Sequence, residues 1–351
     1  MPVLSLVVPG RLDTATGGYR YDREIAARLR TLGWSVDVHE LHGTYPTPAP
    51  ADRRAAGAVF GAVPDGRLVL VDGLAFGALP ELAVRESGRL RLVALVHHPL
   101  ALETGLDDQT RQRLAADERR ALRVARHVVV THQATADRLM ADFGVPAARL
   151  SSVRPGVEEA PEGRGGDGRT VSLLCVATLT PRKGHDILVR ALAAYRDVAW
   201  HLTLAGSLDR APATTEAIRA LIASLGLDER VTLAGEASTS ALAALYDRAD
   251  LFVLATRYEG YGMVVAEALA HAVPVVATRT GGIPELVPAD AGLLVAPDDA
   301  EAFAAALGRV LTVPAARTAL RAGARRARRA RRSWETAAAE FDGVLRRMID
   351  E

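Results

Sequence analysis

Short apolar runs alternate with amphipathic helical stretches along the chain, and after one break the alternation starts again. In the first half the runs are VLSLVV (3–8), SVDVHE (35–40), RLVLVD (67–72), RLVALV (91–96) and HVVVT (127–131). Between them, YRYDREIAARLRTLG places Ile25, Leu29 and Leu32 at helical spacing and stops at Gly33. DDQTRQRLAADERRALRVA reads as a second clear helix. Strand–helix–strand order of this kind implies a parallel sheet with helices on both faces. PGVEEAPEGRGGDGRT (155–170) lacks apolar periodicity and is rich in Pro, Gly and charge, so it reads as a linker. The second half then offers VSLLCVA (171–177), WHLTLAG (200–206), RVTLAG (230–235), DLFVLA (250–255), PVVAT (274–278) and AGLLVA (291–296). The expected fold class is α/β, with two doubly wound, Rossmann-like domains facing a central cleft. The expected boundaries are 1–157, a linker at 158–170, 171–332, and a C-terminal helix at 333–351 that packs back on the first domain. Loops at the carboxyl ends of both sets of strands would line the cleft.

Composition excludes several classes. With 351 residues, 49% apolar and 24% charged, the chain is long enough for two cores and has a globular balance. A formal net charge of +1 gives no bulk argument for nucleic acid. Cys175 is the one cysteine, so a disulfide framework is excluded and a buried structural thiol is expected. No G-x-G-x-x-G follows a strand and no G-x-x-x-x-G-K-[ST] occurs, which removes the main support for dinucleotide oxidoreductase and P-loop readings. There is no G-x-S-x-G elbow and no metal-ligand spacing among the histidines and Cys175. The opening MPVLSLVVPG carries no basic leader and reads as a first strand, and no stretch reaches the ~18–20 apolar residues of a membrane span. A soluble, cytoplasmic protein is expected.

Candidate site residues follow strands. Gly17 and Gly18 open a helix, where bare backbone and the helix dipole suit an anion, although such a pair is also an ordinary turn. Arg182 and Lys183 precede another helix, either as a clamp for a diphosphate or as a surface basic pair. His97 and His98 end a strand, where an imidazole can donate to a developing charge or a sugar hydroxyl or can be structural. In TRYEGYGMVVAEALAHA, Glu259 lies in a turn with Gly260 and Gly262, and Glu267 lies eight positions later in an apolar helix. A retaining glycosidase pair needs carboxyls about 5–5.5 Å apart. Eight mostly helical residues separate these two by roughly 10 Å. Glu259 and Glu267 therefore suit the two ends of one extended polyol ligand rather than one bond. The arginine-dense stretch 317–332 reads as a solvated helix face or as a patch for anionic lipid or polyphosphate, which would allow weak peripheral membrane association.

RYEGYGMVVAEALAHAVPVVATRTGGIPELV (257–287) resembles the signature of family-4 glycosyltransferases, which have the GT-B fold and carry E-x7-E followed by a Gly-Gly-x-x-Glu segment, here Gly281, Gly282 and Glu285. PRKG and RPGVEE match the family's phosphate loop and interdomain segment, and the early glycine pair matches its N-terminal loop. The resemblance implies a retaining transfer of a hexose-type sugar from a UDP- or GDP-sugar to an unidentified acceptor by front-face displacement, with no metal and no cofactor. Under it Arg182 and Lys183 bind the diphosphate with backbone around Gly262 and Met263, Glu259 meets the sugar, and Glu267 meets the ribose. His97 lies over the sugar, Gly17 and Gly18 lie near the phosphates, and Gly235 and Glu236 border the base. Gly260, Tyr261 and Val264 complete the donor set, while His98 and Tyr19 belong to the acceptor or support the site. Many members carry an arginine where this chain has Thr178 or Leu179, which leaves the clamp to Arg182 and Lys183. The rival readings are a nucleotide-sugar epimerase or a phosphorylase on the same scaffold, and a non-catalytic binding protein.

Overall fold

Twelve strands form two six-stranded parallel sheets in the computed structural model, which describes residues 1–14, 16–103 and 105–350. The chain divides into two compact units: unit 1 holds 1–156 and 332–351, and unit 2 holds 157–331.

The strands of unit 1 are β1 (Val3–Pro9), β2 (Ser35–Leu41), β3 (Leu68–Asp72), β4 (Arg91–Val96), β5 (His127–Val130) and β6 (Leu150–Ser152). Their order is β2-β1-β3-β4-β5-β6. Every residue of β3 is buried, as strands covered by helices on both faces require, whereas the edge strand β2 is only partly buried. The Gly17–Thr31 helix buries Tyr21, Ile25, Ala26 and Leu29, and Asp22 lies on that same buried stripe.

The last helix, Trp334–Asp350, belongs to unit 1. Trp334 and Phe341 are fully buried against Tyr21, with ring centroids 5.9 and 6.3 Å away. The Trp34 indole donates to Asp342 at 2.6 Å, and Arg91 donates to the carbonyls of Met348 and Ile349. Burying a large side chain of this kind contributes about 1.5–3 kcal/mol, so the C-terminal segment is part of the unit's core.

Unit 2 contains β7 (Val171–Val176), β8 (Trp200–Ala205), β9 (Val231–Gly235), β10 (Leu251–Leu254), β11 (Val275–Thr278) and β12 (Gly292–Val295), in the order β12-β11-β10-β7-β8-β9. No helix or strand is formed between Ser152 and Val171, yet residues 159–166 are held firmly. Gly163 and Gly165 donate backbone N–H groups to the carbonyls of His271 and Asp247, and Arg164 pairs with Asp247. The arginine-dense helix Pro314–Arg329 supplies most of the remaining grip. Arg325 pairs with Glu162, Arg328 donates to the carbonyl of Ala160, Arg321 donates to the carbonyl of Gly163, and Arg331 beyond the helix pairs with Glu159. Arg326 turns instead to Asp290 and Arg317 to the carbonyl of Val310. Arg321, Arg325, Arg328 and Arg331 therefore fasten the preceding segment, while Arg325 and Arg326 stay largely exposed.

Replacing Trp334 with Ala is expected to lower the unfolding free energy by about 3–5 kcal/mol, measured by urea denaturation. Trp334→Phe should cost clearly less, because the indole N–H is itself buried without a partner among the described residues.

Candidate active site

In an open parallel sheet the loops on two adjacent strands diverge where the strand order reverses, and the crevice outside their carboxyl ends is the natural ligand site. In unit 2 that point lies between β7 and β10. PRKG follows β7 and RYEGYG follows β10, so two of the sequence candidates arrive at the same place.

Their loops are stitched together. The Arg257 N–H donates to the carbonyl of Arg182 at 2.7 Å, and the Arg182 guanidinium donates to the carbonyl of Tyr258 at 2.9 Å. The one Thr256 hydroxyl proton lies between the carbonyls of Tyr258 at 2.8 Å and Arg182 at 3.1 Å, while the Arg257 guanidinium pairs with Asp186 and Asp298. Lys183 Nζ lies 2.5 Å from a Glu259 carboxylate oxygen, with the two side chains only 13% and 14% exposed. Each group is the other's partner, which offsets part of the cost of holding a charge this far from water. A third loop closes on them: the Gly282 N–H donates to the carbonyl of Gly260 at 2.7 Å. Gly281 has φ +53°, and a Cβ there would stand 1.5 Å from the carbonyl oxygen of Glu259. Only glycine fits this approach.

Gly262, at φ +95°, turns the chain into the Met263–Ala270 helix, whose start carries no side-chain cap. Tyr261 and Met263 are buried, whereas Val264 is partly buried and its carbonyl accepts from the Tyr246 hydroxyl. The same Tyr246 proton is shared with the nearer Glu267 carboxylate at 2.9 Å, and the Tyr246 ring stacks on His271 at 5.1 Å. The second glutamate thus has a fixed orientation supplied by a neighbouring helix. Gly235 and Glu236 stand at the carboxyl end of the edge strand β9, two strands from β7, and Glu236 is exposed.

Unit 1 has its own reversal, between β1 and β3. Gly17 and Gly18 begin the helix after β1, capped by the Thr16 hydroxyl accepting from the Tyr19 N–H, and the Tyr19 hydroxyl donates to the carbonyl of Pro9. His97, just beyond β4, places Nε2 3.1 Å from an Asp22 oxygen and 3.4 Å from an Asp72 oxygen. The Tyr21 ring meets it edge-on. Gly18 makes room for this imidazole, since a Cβ there would lie 3.1 Å from His97 Cδ2. His98 turns elsewhere, with Nε2 3.6 Å from Glu103.

Asp22 and Asp72 were absent from the sequence candidates. The available signal was Asp22 lying on the apolar stripe of Ile25 and Leu29, and Asp72 ending an otherwise apolar strand. Burial raises the Asp22 carboxyl to about 6, although His97 opposes the rise. Burial alone would lower the His97 imidazole, but Asp22 and then Asp72 outweigh it and raise it to about 10. The donor atoms of the three residues lie within 4.8 Å of one another, the spacing a shared cation would need. Nε2 is at hydrogen-bond distance from Asp22 and slightly farther from Asp72, so a proton on Nε2 would face both carboxylates. A groove of about 820 Å³ lined by Arg53, Arg54, Glu81, Arg85 and Asp117 lies elsewhere in unit 1 and shares no residue with this cluster.

Residues 170–312 match the model of the "Glycosyl transferases group 1" family, and residues 67–160 match that of "Glycosyltransferase Family 4". A relative in Mycolicibacterium hassiacum, named MMP alpha-(1->4)-mannosyltransferase, is 30% identical over 90% of this chain and 80% of its own length. The chain is a family-4 glycosyltransferase. The GDP-mannose-dependent alpha-(1-6)-phosphatidylinositol monomannoside mannosyltransferase of Mycolicibacterium smegmatis is also 30% identical, over 94% of this chain and 87% of that protein. Among solved structures, Anabaena Alr3699/HepE in complex with UDP and glucose superposes with a TM-score of 0.79 at 19% identity, covering 97% of this chain and 99% of that one. That likeness fixes the glycosyltransferase's fold as GT-B. Among the described residues no helix is long and apolar enough to cross a membrane.

The cluster in unit 1 has a pH signature. Both shifts are upward, from 3.8 for Asp22 and from 6.5 for His97, so the folded protein holds both protons more tightly than the unfolded chain. The Asp22 contribution is complete below its unfolded value and is lost as pH rises to about 6. The His97 contribution is complete below 6.5 and is lost as pH rises to about 10. Melting temperature should therefore fall between pH 6.5 and 10 more steeply in the native protein than in His97→Gln, measured by calorimetry. Parallel slopes would contradict the assignment.

Proposed function

We propose that this glycosyltransferase moves a hexosyl group from a nucleotide-diphosphate sugar to an acceptor hydroxyl with retention at the anomeric carbon, without a metal or other cofactor. The observation that carries the reading is the Lys183–Glu259 pair at the β7/β10 reversal, where a cation for the diphosphate and an acid for the sugar stand side by side. GDP-mannose is the donor named for one relative, and UDP is bound in the Anabaena protein, which supports a GDP- or UDP-hexose as the donor class. Unit 2 binds the donor, and unit 1 supplies the acceptor site and His97.

In this reading Lys183, with the Arg182 cation beside it, meets the diphosphate. The uncapped start of the Met263–Ala270 helix offers backbone N–H groups to the same oxygens. Glu259, released in part from Lys183, accepts from hydroxyls of the transferred sugar, and Glu267, aimed by Tyr246, accepts from the ribose. As the C1–O bond breaks, negative charge grows on the departing diphosphate, where the cations stabilise it most. The acceptor's proton passes to that leaving group on the same face of the sugar. Such a donor is met in the cytoplasm.

Lys183→Ala and Glu259→Gln should each lower kcat by about a hundredfold or more, measured as product formation from a GDP- and UDP-hexose panel with candidate acceptors. Native rates in both variants would overturn the reading. Sugar conversion by the native protein without acceptor would assign it to an epimerase instead.

A further inference from the structure

His97 is held from behind at a single atom. Its Nε2 faces the Asp22 and Asp72 carboxylates, while the ring keeps about one-fifth of its surface open. Asp22 lies in the Gly17–Thr31 helix and is 1% exposed. Asp72 ends β3 and is also tied down, because its other oxygen accepts from the Leu74 N–H at 2.7 Å. Gly18 and the edge-on Tyr21 ring border the imidazole. The groups facing His97 are thus two acids and one phenol, with no cation among these contacts. The second ring nitrogen, Nδ1, has no protein partner among the described residues.

We propose that Asp22 and Asp72 are positioning residues for the transfer reaction, locking His97 as an imidazolium whose Nδ1–H is the one proton presented to the substrate. The inference rests on the proposed transferase reading. A neutral imidazole could serve as donor or acceptor, and its tautomer could change. Two carboxylates on Nε2 fix a proton there, and the positive charge they stabilise keeps Nδ1 protonated as well. His97 then cannot act as a general base. It acts as a charged donor to an oxygen of the sugar or of the departing phosphate, and its orientation is set before substrate arrives. Asp22 supplies the stronger support because burial leaves it little else to bond. Asp72 serves both the ring and the turn that follows β3.

The test reads ring charge and catalysis separately. Nitrogen-15 NMR of the histidine rings in the full-length protein without substrate, assigned with His97→Gln, should show His97 doubly protonated at pH 8. In Asp22→Asn the imidazolium should begin to titrate at lower pH than in the native protein, and in Asp22→Asn/Asp72→Asn His97 should be neutral at pH 8. The double variant should lose about tenfold or more in kcat at pH 8 with donor KM little changed, and the loss should shrink as the pH is lowered to 6 and below. That recovery separates positioning from mere structural support, since a distorted fold would not be repaired by protons. A neutral His97 in the native protein at pH 8 would overturn the proposal. So would a loss in the double variant that is equal at both pH values, or stoichiometric binding of Zn²⁺ or Mn²⁺ that shifts the His97 resonances. Because the NMR needs no substrate, a failed ring assignment leaves the transferase reading intact. A failed transferase assay likewise leaves the ring charge measured.

Discussion

Each sheet reverses its strand order once, and that reversal decides where charged side chains can gather. Parallel strands send all their following loops to one edge, but helices from neighbouring strands normally cover the gap between them. Where the order turns, between β7 and β10 in unit 2 and between β1 and β3 in unit 1, the helices diverge and polar groups can stand without a helix over them. Lys183 and Glu259 occupy the first such point, and Asp22 and Asp72 with His97 from the next strand occupy the second. Both clusters consist of groups that burial would penalise singly and that partner one another.

The two clusters differ in a way that fits different tasks. Lys183 and Glu259 neutralise each other and retain some exposure, so a ligand carrying both negative and hydroxyl groups can replace each partner with a better one. Asp22 is fully buried and cannot be offered to a ligand, so its action has to pass through His97. Glu267 follows a third arrangement, in which a neutral phenol from the Thr239–Arg248 helix fixes a carboxylate without neutralising it. The Tyr246 ring stacks on His271, whose carbonyl holds Gly163, and the Pro314–Arg329 helix fastens that same segment. The arginines thus support the ground on which Glu267 is set.

Much of this was legible in the sequence. The alternation of apolar runs with helical stretches located the strands because parallel strands buried on both faces must be nearly continuous in apolar residues. Leu150–Ser152 escaped because two of its three residues are serine and it pairs only with β5 at the sheet edge. The E-x7-E signature with its glycines was legible because close backbone approach leaves no alternative residue, as Gly281 against Glu259 illustrates. The partners of those glutamates were not: Lys183 meets Glu259, and Tyr246 meets Glu267, through tertiary contacts that leave no periodic trace. Arg182 and Lys183 were read as two equivalent cations, yet one guanidinium bonds a loop carbonyl while the ammonium takes the acid. The arginine run illustrates the converse limit, since its density showed in the sequence but its engagement with residues 159–163 did not.

In the proposed function Lys183 is the contact that distinguishes a diphosphate from a monophosphate. Isothermal titration with GDP and GMP, and with UDP and UMP, on the native protein and Lys183→Ala addresses this directly. For whichever nucleotide binds, the native protein should favour the diphosphate by about 10–100-fold, the range of one or two hydrogen bonds to a charged group, and the variant should lose most of that preference. An unchanged preference in Lys183→Ala would contradict the central claim.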